Sequence, residues 1–291
     1  MDKVLIIGCG DMGKRVAGLV MAEGTDVSAL VRSAEKGQKL AELGIRPVAG
    51  DLDELSSLAT LPTRDALVFY FAPPPGGGNM DPRMRSFCAS IKAGNEPRRV
   101  VYMSTSGVYG DCGDALVTEE TPPNPQTARA KRRYDAETVL SEWGRERGVE
   151  VVILRVTGIY GPGRLPITQL ANGHPLLDER LSPPTNRIHA EDLARVCVAA
   201  AEKGEDGDIF NVSDGRVGTM TQYFNAVADI LGYPRPRQIS LEEAHRVMTP
   251  LMLSYISETR RMGNGKMLKK LGIKLLYPTL EEGLKACVRR D

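Results

Sequence analysis

The chain has only three histidines, His174, His189 and His245, far apart and none at ligand spacing from a cysteine or a carboxylate. A dedicated metal site is therefore not expected. Its five cysteines, Cys9, Cys88, Cys112, Cys197 and Cys287, are odd in number and never form a C-x-x-C pair. That excludes a disulfide framework and fits free thiols in a reducing compartment. No apolar run approaches membrane length, and the stretch Val4–Ile7 before Gly8 is too short for a signal peptide. An excess of charge of one sign is also missing, with 38 basic against 37 acidic residues and a formal net charge of +1. This leaves no general electrostatic case for a nucleic-acid or membrane partner. Neither a G-x-S-x-G nor a Walker loop is present. The expectation is a soluble, cytoplasmic protein whose partner is a small molecule.

What the chain does have begins at once. Val4 to Gly13 reads VLIIGCGDMG, an apolar run that stops on glycines spaced G-x-G-x-x-G. Val4–Ile7 reads as a buried parallel strand, and Met12, Val16, Ala17, Leu19 and Val20 as the apolar face of a following helix. Gly8 permits the turn, Gly10 lets a pyrophosphate approach the backbone, and Gly13 lets helix and strand lie close. The loop residues Asp11 and Met12 then belong to the dinucleotide site.

Apolar segments continue to alternate with helical ones. Strands are expected at Asp26–Val31, Ile45–Ala49, Ala66–Phe71, Arg99–Met103, Glu150–Leu154 and Asp208–Val212. Helices are expected at Ala34–Leu43, Met84–Ala93, Gln126–Arg147, Ala190–Lys203 and Met220–Leu231. With 291 residues there is chain enough for a large core. The pattern implies an α/β fold, a doubly wound parallel sheet of Rossmann type, with ligands at the carboxyl ends of its strands. Residues 1–160 with about 188–215 form its dinucleotide-binding domain. Residues from about 161 to 187, with 216–291, form a smaller substrate-binding lid. Pro73–Gly78, PPPGGG, is the one low-complexity stretch, either a flexible loop or a mobile flap beside the cofactor.

At the tip of the fifth strand Ser104, Thr105 and Ser106 place three hydroxyls where a substrate carbonyl or alcohol would meet the cofactor. Here the chain resembles the extended short-chain dehydrogenase/reductase superfamily, of the sugar-nucleotide epimerase and dehydratase type. The motifs are GCGDMG, STSGVYG (Ser104–Gly110), LRVTGIYGPGR (Leu154–Arg164), NRIHAEDLA (Asn186–Ala194), IFNVSDG (Ile209–Gly215) and YPTLEEGL (Tyr277–Leu284). The resemblance puts Thr105 on the catalytic Ser/Thr, with Ser106 and Tyr109 beside it as catalytic candidates. It makes Ser104, Ala72 and the segment Thr157, Gly158, Ile159 and Tyr160 cofactor neighbours. Arg164, Asn186, Arg187 and His189 fall where the family meets substrate, with a structural role the alternative for His189. Relatives often dimerise through a four-helix contact, which makes a homodimer the implied assembly.

One departure outweighs the matches. The family's proton donor is a tyrosine followed four residues later by lysine, and none of the nine tyrosines here has a lysine at that spacing. Anchoring on Glu137 puts Arg129 at the tyrosine position and Arg133 at the lysine position. A guanidinium, with a pKa above about 12, is no acid near neutrality. The chain therefore looks like the atypical branch of the superfamily, which keeps the dinucleotide site without the Tyr and Lys. Tyr109 and Tyr160 are either substitute donors or packing residues. Arg129, Lys131, Arg132 and Arg133 either grip an anionic substrate or form a solvated face.

An NAD site calls for an acidic residue at the end of the second strand, where this chain has Arg32 and Ser33. An arginine there suits a 2′-phosphate, which makes NADP the expected cofactor, with NAD the alternative. Asp51 and Leu52 are expected to flank the adenine, or Asp51 to cap a helix. Two functions follow: a reductase or epimerase/dehydratase of a small carbonyl compound or nucleotide sugar, or a non-catalytic NADP-binding sensor.

Overall fold

Strand β1 (Lys3–Ile7) is shielded from water on both faces, and the sheet extends outward from it. The computed structural model describes residues 1 and 3–288. β1 is joined by β2 (Asp26–Val31), β3 (Arg46–Ala49), β4 (Leu67–Tyr70), β5 (Arg99–Thr105), β6 (Glu150–Val156) and β7 (Ile209–Val212). All seven pair in parallel, in the order β7-β6-β5-β4-β1-β2-β3. The chain leaves β1 toward one edge and returns at β4 toward the other, so a crevice opens between the carboxyl ends of β1 and β4.

Alternation along β1 explains the layers. Val4 and Ile6 point into one cluster with Val16, Ala17 and Val20 of α1 (Asp11–Met21). Leu5 and Ile7 point into the other, with Met84 and Phe87 of α3 (Pro82–Ser90) and Ala136 and Leu140 of α4 (Ala128–Arg147). The remaining crossovers are α2 (Ala34–Ala41) and α5 (Ala190–Lys203). Strands covered on both faces can be apolar at every position, which is why they read as unbroken hydrophobic runs.

Several boundaries differ from the sequence expectation, for local reasons. Helix α3 begins at Pro82 because Asp81 Oδ1 accepts the N–H groups of Arg83 and Met84 and proline suits the first helical position. Helix α4 starts at Ala128, with Thr127 capping Ala130. Strands β5 and β6 run on beyond Met103 and Leu154, pairing Ser104 with Arg155 and Thr105 with Val156. Ser104 and Thr105 are thus held in the sheet, and Ser106 opens the 3-10 turn that follows it.

A further apolar cluster lies away from the sheet. It gathers Tyr160, Leu170, Leu176, Tyr223, Phe224, Val227 and Leu284, with much of it from α6 (Met220–Leu231). Beside it Gly158–Tyr160 pairs in parallel with Pro184–His189, which pairs antiparallel with Val217–Thr219. Among the described residues no helix is long and apolar enough to cross a membrane.

Candidate functional site

The three glycines of the opening turn differ in what this chain demands of them. Gly8 has φ +94°, and a Cβ there would lie 2.5 Å from the Ala72 nitrogen. The chain leaving β4 is laid on that turn, with Phe71 and Ala72 both donating to the Ile7 carbonyl. A Cβ at Gly13 would meet Ile6 Cγ2 at 3.1 Å and the Gly8 carbonyl at 3.2 Å, so helix α1 sits hard against β1. Around Gly10 no atom lies within 4 Å of such a Cβ. Gly10 is also the N-cap of α1, and no side chain caps that helix end. The positive pole of the helix, with its unpaired N–H groups, faces the space above Gly10.

The neighbouring loop residues point opposite ways. Met12 is buried in the core, whereas the Asp11 carboxylate accepts from Arg15 Nε at 3.1 Å and from Arg164 Nε at 2.5 Å. Burial acts to raise the Asp11 pKa, but the hydrogen bonds from Arg164 and Arg15 outweigh it and hold the carboxyl below its usual range. Arg164, expected at the substrate, is thus tied to the glycine loop.

At the end of β2, Arg32 is 60% exposed and lies 4.0 Å from the half-buried Asp51. Ser33 accepts from the Lys36 N–H and caps α2. Asp51 caps no helix; its side chain accepts from the Asp53 N–H in a tight turn, and Leu52 is buried. The flap Pro73–Gly78 is pinned at both ends, by Arg83 donating to the Pro73 carbonyl and Arg132 to those of Gly77 and Gly78.

The β5 tip rests on a buried polar network. Ser104 donates to Glu137 of α4, and the same carboxylate pairs with Arg155 of β6 at 2.7 Å. Both partners of that pair are 3% exposed. The Arg155 guanidinium lies 4.7 Å over the Tyr109 ring, and the Tyr109 hydroxyl donates to Asn211 Oδ1 at 2.8 Å. Asn211 in turn donates to the Val117 carbonyl, and its N–H donates to Glu119. Thr105 Oγ1 accepts the Gly107 N–H at 3.2 Å, while Ser106, half-buried, has no side-chain partner among the described residues. Arg133 donates to the Met103 carbonyl at 2.6 Å.

The hydroxyls of Tyr109 and Tyr160 are both engaged inside the fold. Tyr109 is 1% exposed and spends its proton on Asn211; burial pushes its hydroxyl up. Tyr160 is fully buried in the cluster away from the sheet, donates to the Thr279 carbonyl, and is likewise pushed up by burial. Thr157 is buried and donates to the Val212 carbonyl, leaving exposed Gly158 and half-buried Ile159 at the strand ends.

Of the expected substrate contacts, Asn186 is spent on the fold, donating to the Arg216 carbonyl and accepting from the Met262 N–H. His189 caps α5 through Nδ1 and packs against Tyr160 and Tyr277. Arg187 lies 3.8 Å over the Tyr223 ring, with Met220 Sδ as a weak acceptor at 3.5 Å. Its Nε and Nη1 have no partner among the described residues, and burial lowers its pKa to about 10. Nearby Asp214 is pushed up to about 6 by burial.

Sequence reasoning missed the roles of Arg155, Asn211 and Asp81. Arg155 did carry a signal, being a charge inside the apolar run EVVILRV, which calls for a buried partner.

Residues 84–213 match the NAD dependent epimerase/dehydratase family. Over 97% of this chain and 99% of the relative, it is 25% identical to a 3-diazoavenalumate denitrifying reductase of a Streptomyces species. A functionally unknown conserved protein from Silicibacter pomeroyi is 27% identical and superposes over 99% of this chain and 98% of its own, with a TM-score of 0.83. The dTDP-glucose 4,6-dehydratase of Bacillus anthracis, solved with NAD, is 17% identical and shares the fold over 99% of this chain and 96% of its own, at a TM-score of 0.79. The chain is thus similar to the NAD dependent epimerase/dehydratase family over residues 84–213 and shares its fold with these solved structures over nearly its whole length.

Proposed function

We propose that the crevice above Gly10 binds NADP(H) and that the protein is a reductase or epimerase/dehydratase of a small carbonyl compound or a nucleotide sugar. The contrast among the three glycines carries this reading. Gly8 and Gly13 are demanded by contacts within the chain, whereas the missing side chain at Gly10 serves none of them. An uncapped helix end facing that space suits a pyrophosphate. Exposed Arg32 at the end of β2 supports a 2′-phosphate and hence NADP. The family itself is described as NAD dependent, so NAD is the competing cofactor.

When bound, the nicotinamide supplies hydride exchange with the substrate carbon. Thr105 and Ser106, at the strand tip, orient the reacting oxygen by hydrogen bonding, and the Ser104–Glu137–Arg155 network beneath keeps that tip from moving. Arg187 keeps donors available for an anionic part of the substrate. Residues from about 161 to 187, together with 216–291, act as the substrate-binding portion.

A second reading, a non-catalytic NADP-binding sensor, is favoured by one observation. Arg129 stands in the family's tyrosine place, and the hydroxyls of Tyr109 and Tyr160 are engaged in the interior. Calorimetric titration with NADP, NADPH, NAD and NADH, after removal of copurifying cofactor, tests the shared premise. Tight NADP(H) binding is expected, and no binding of any of the four overturns both readings. Loss of NADPH absorbance with a panel of aldehydes, ketones and keto-sugars then separates enzyme from sensor.

A further inference from the structure

We infer that Arg164, carried by the loop Gly161–Arg164, is a pyrophosphate-binding residue that clasps the dinucleotide against helix α1; this rests on the dinucleotide reading above. The loop is fastened to α1 at two points. Arg15 Nη2 donates to the Pro162 carbonyl at 3.1 Å, and Arg164 Nε donates to Asp11 at 2.5 Å. Asp11 and Arg15 stand one helical turn apart, and Arg15 Nε takes the other carboxylate oxygen at 3.1 Å. Within the loop, Gly163 at φ +77° and the bond from the Arg164 N–H to the Gly161 carbonyl turn the chain back toward the helix.

This arrangement uses one edge of the guanidinium and leaves another. Among the described residues Arg164 Nη1 and Nη2 have no protein partner, and the side chain is 31% exposed. Asp11 follows Gly10 directly, so this fork stands beside the open face of the glycine loop. A guanidinium held through Nε offers its terminal amino groups as a planar pair, the geometry that suits a phosphate.

Charge supports the same assignment. A carboxylate in the first helical turn is favoured by the helix dipole, yet alone it would repel an incoming pyrophosphate. Two arginines on Asp11 offset that repulsion; Arg15 is shared with Glu191 at 3.7 Å, so the four charges balance and it is Arg164 whose terminal amino groups are left to meet a phosphate. Asp11 is thus a positioning residue and Arg164 the group that meets the phosphate. The next residue, Leu165, packs on the cluster around Tyr160 and Leu170. Cofactor binding would therefore also order the edge of the substrate-binding portion.

Calorimetric titration of wild type, Arg164→Met and Arg164→Lys with NADP, ADP and adenosine 2′-monophosphate tests the assignment. Arg164→Met should weaken NADP and ADP by roughly tenfold or more, the scale of a charge-assisted hydrogen bond. Adenosine 2′-monophosphate, which has a 2′-phosphate but no pyrophosphate, should stay within about twofold, because Arg164 meets the pyrophosphate alone. Arg164→Lys should recover only part of the loss, because an ammonium cannot hold Asp11 and offer a fork together. Unchanged NADP and ADP affinity overturns the clasp, and so does equal loss of all three ligands. Wild type that binds none of them overturns the dinucleotide reading, and the clasp with it.

Discussion

Glu137 of α4 and Arg155 of β6 form an ion pair at 2.7 Å, with both side chains 3% exposed, beneath the hydroxyls at the tip of β5. The carboxylate also accepts from Ser104, and the guanidinium covers the ring of Tyr109. Two charges at that depth are tolerable only together, because each alone would face the full penalty of lost hydration.

Arg155→Met should therefore destabilise the fold by about 3–5 kcal/mol, by stranding the Glu137 charge. The double variant Glu137→Leu/Arg155→Met should recover most of that loss. Urea denaturation of the variants checks this. A double variant as unstable as the single would mean that Arg155 acts through its packing on Tyr109.

Gly10→Val should abolish binding of NADP and NAD while changing stability by less than about 1 kcal/mol, since its side chain enters space that no protein atom fills. Gly8→Ala should instead destabilise by more than about 2 kcal/mol, through a positive φ and collision with the backbone at Ala72. Thermal melts paired with titrations distinguish the two. Retained NADP binding by Gly10→Val would refute the placement of the pyrophosphate.

Arg32→Ala should weaken NADP by more than about tenfold and NAD by less than about threefold, because only NADP carries the 2′-phosphate. Competition binding with the two cofactors measures the ratio. Equal loss of both would leave Arg32 as an adenine contact only.

Asp214 carries a stability signature. Burial raises its folded pKa to about 6 from the ordinary 3.8, with the charges of Arg187 and Arg216 acting the other way. Below both values the group is protonated in folded and unfolded chains alike and contributes nothing. As pH rises from about 4 to about 6 the unfolded chain releases its proton first, so stability falls and then levels. Asp214→Asn keeps an oxygen for the Arg216 N–H and removes the charge. It should raise stability at pH 7 by about 1–3 kcal/mol and flatten the profile between about pH 4 and 6. A variant less stable than wild type at pH 7 would show that the carboxylate is stabilised by Arg187 more than it is penalised by burial.

The sheet was legible in the sequence because parallel strands covered on both faces carry apolar residues at every position, as Val4–Ile7 and Leu67–Tyr70 do. The glycine spacing and the β5 hydroxyls were legible for a related reason, since each lies within one turn or one strand tip of its element. By itself the sequence determined the α/β class, the alternation of its elements and the location of the glycine loop. Only tertiary structure decided where the polar side chains were spent. Arg164 meets Asp11 across 153 residues of chain, Tyr109 meets Asn211 across 102, and Asn186 meets Met262 across 76. Local periodicity fixes which face of an element a residue occupies. It carries no information on which distant element arrives there, so hydroxyls and guanidiniums at motif positions turned inward to satisfy buried partners.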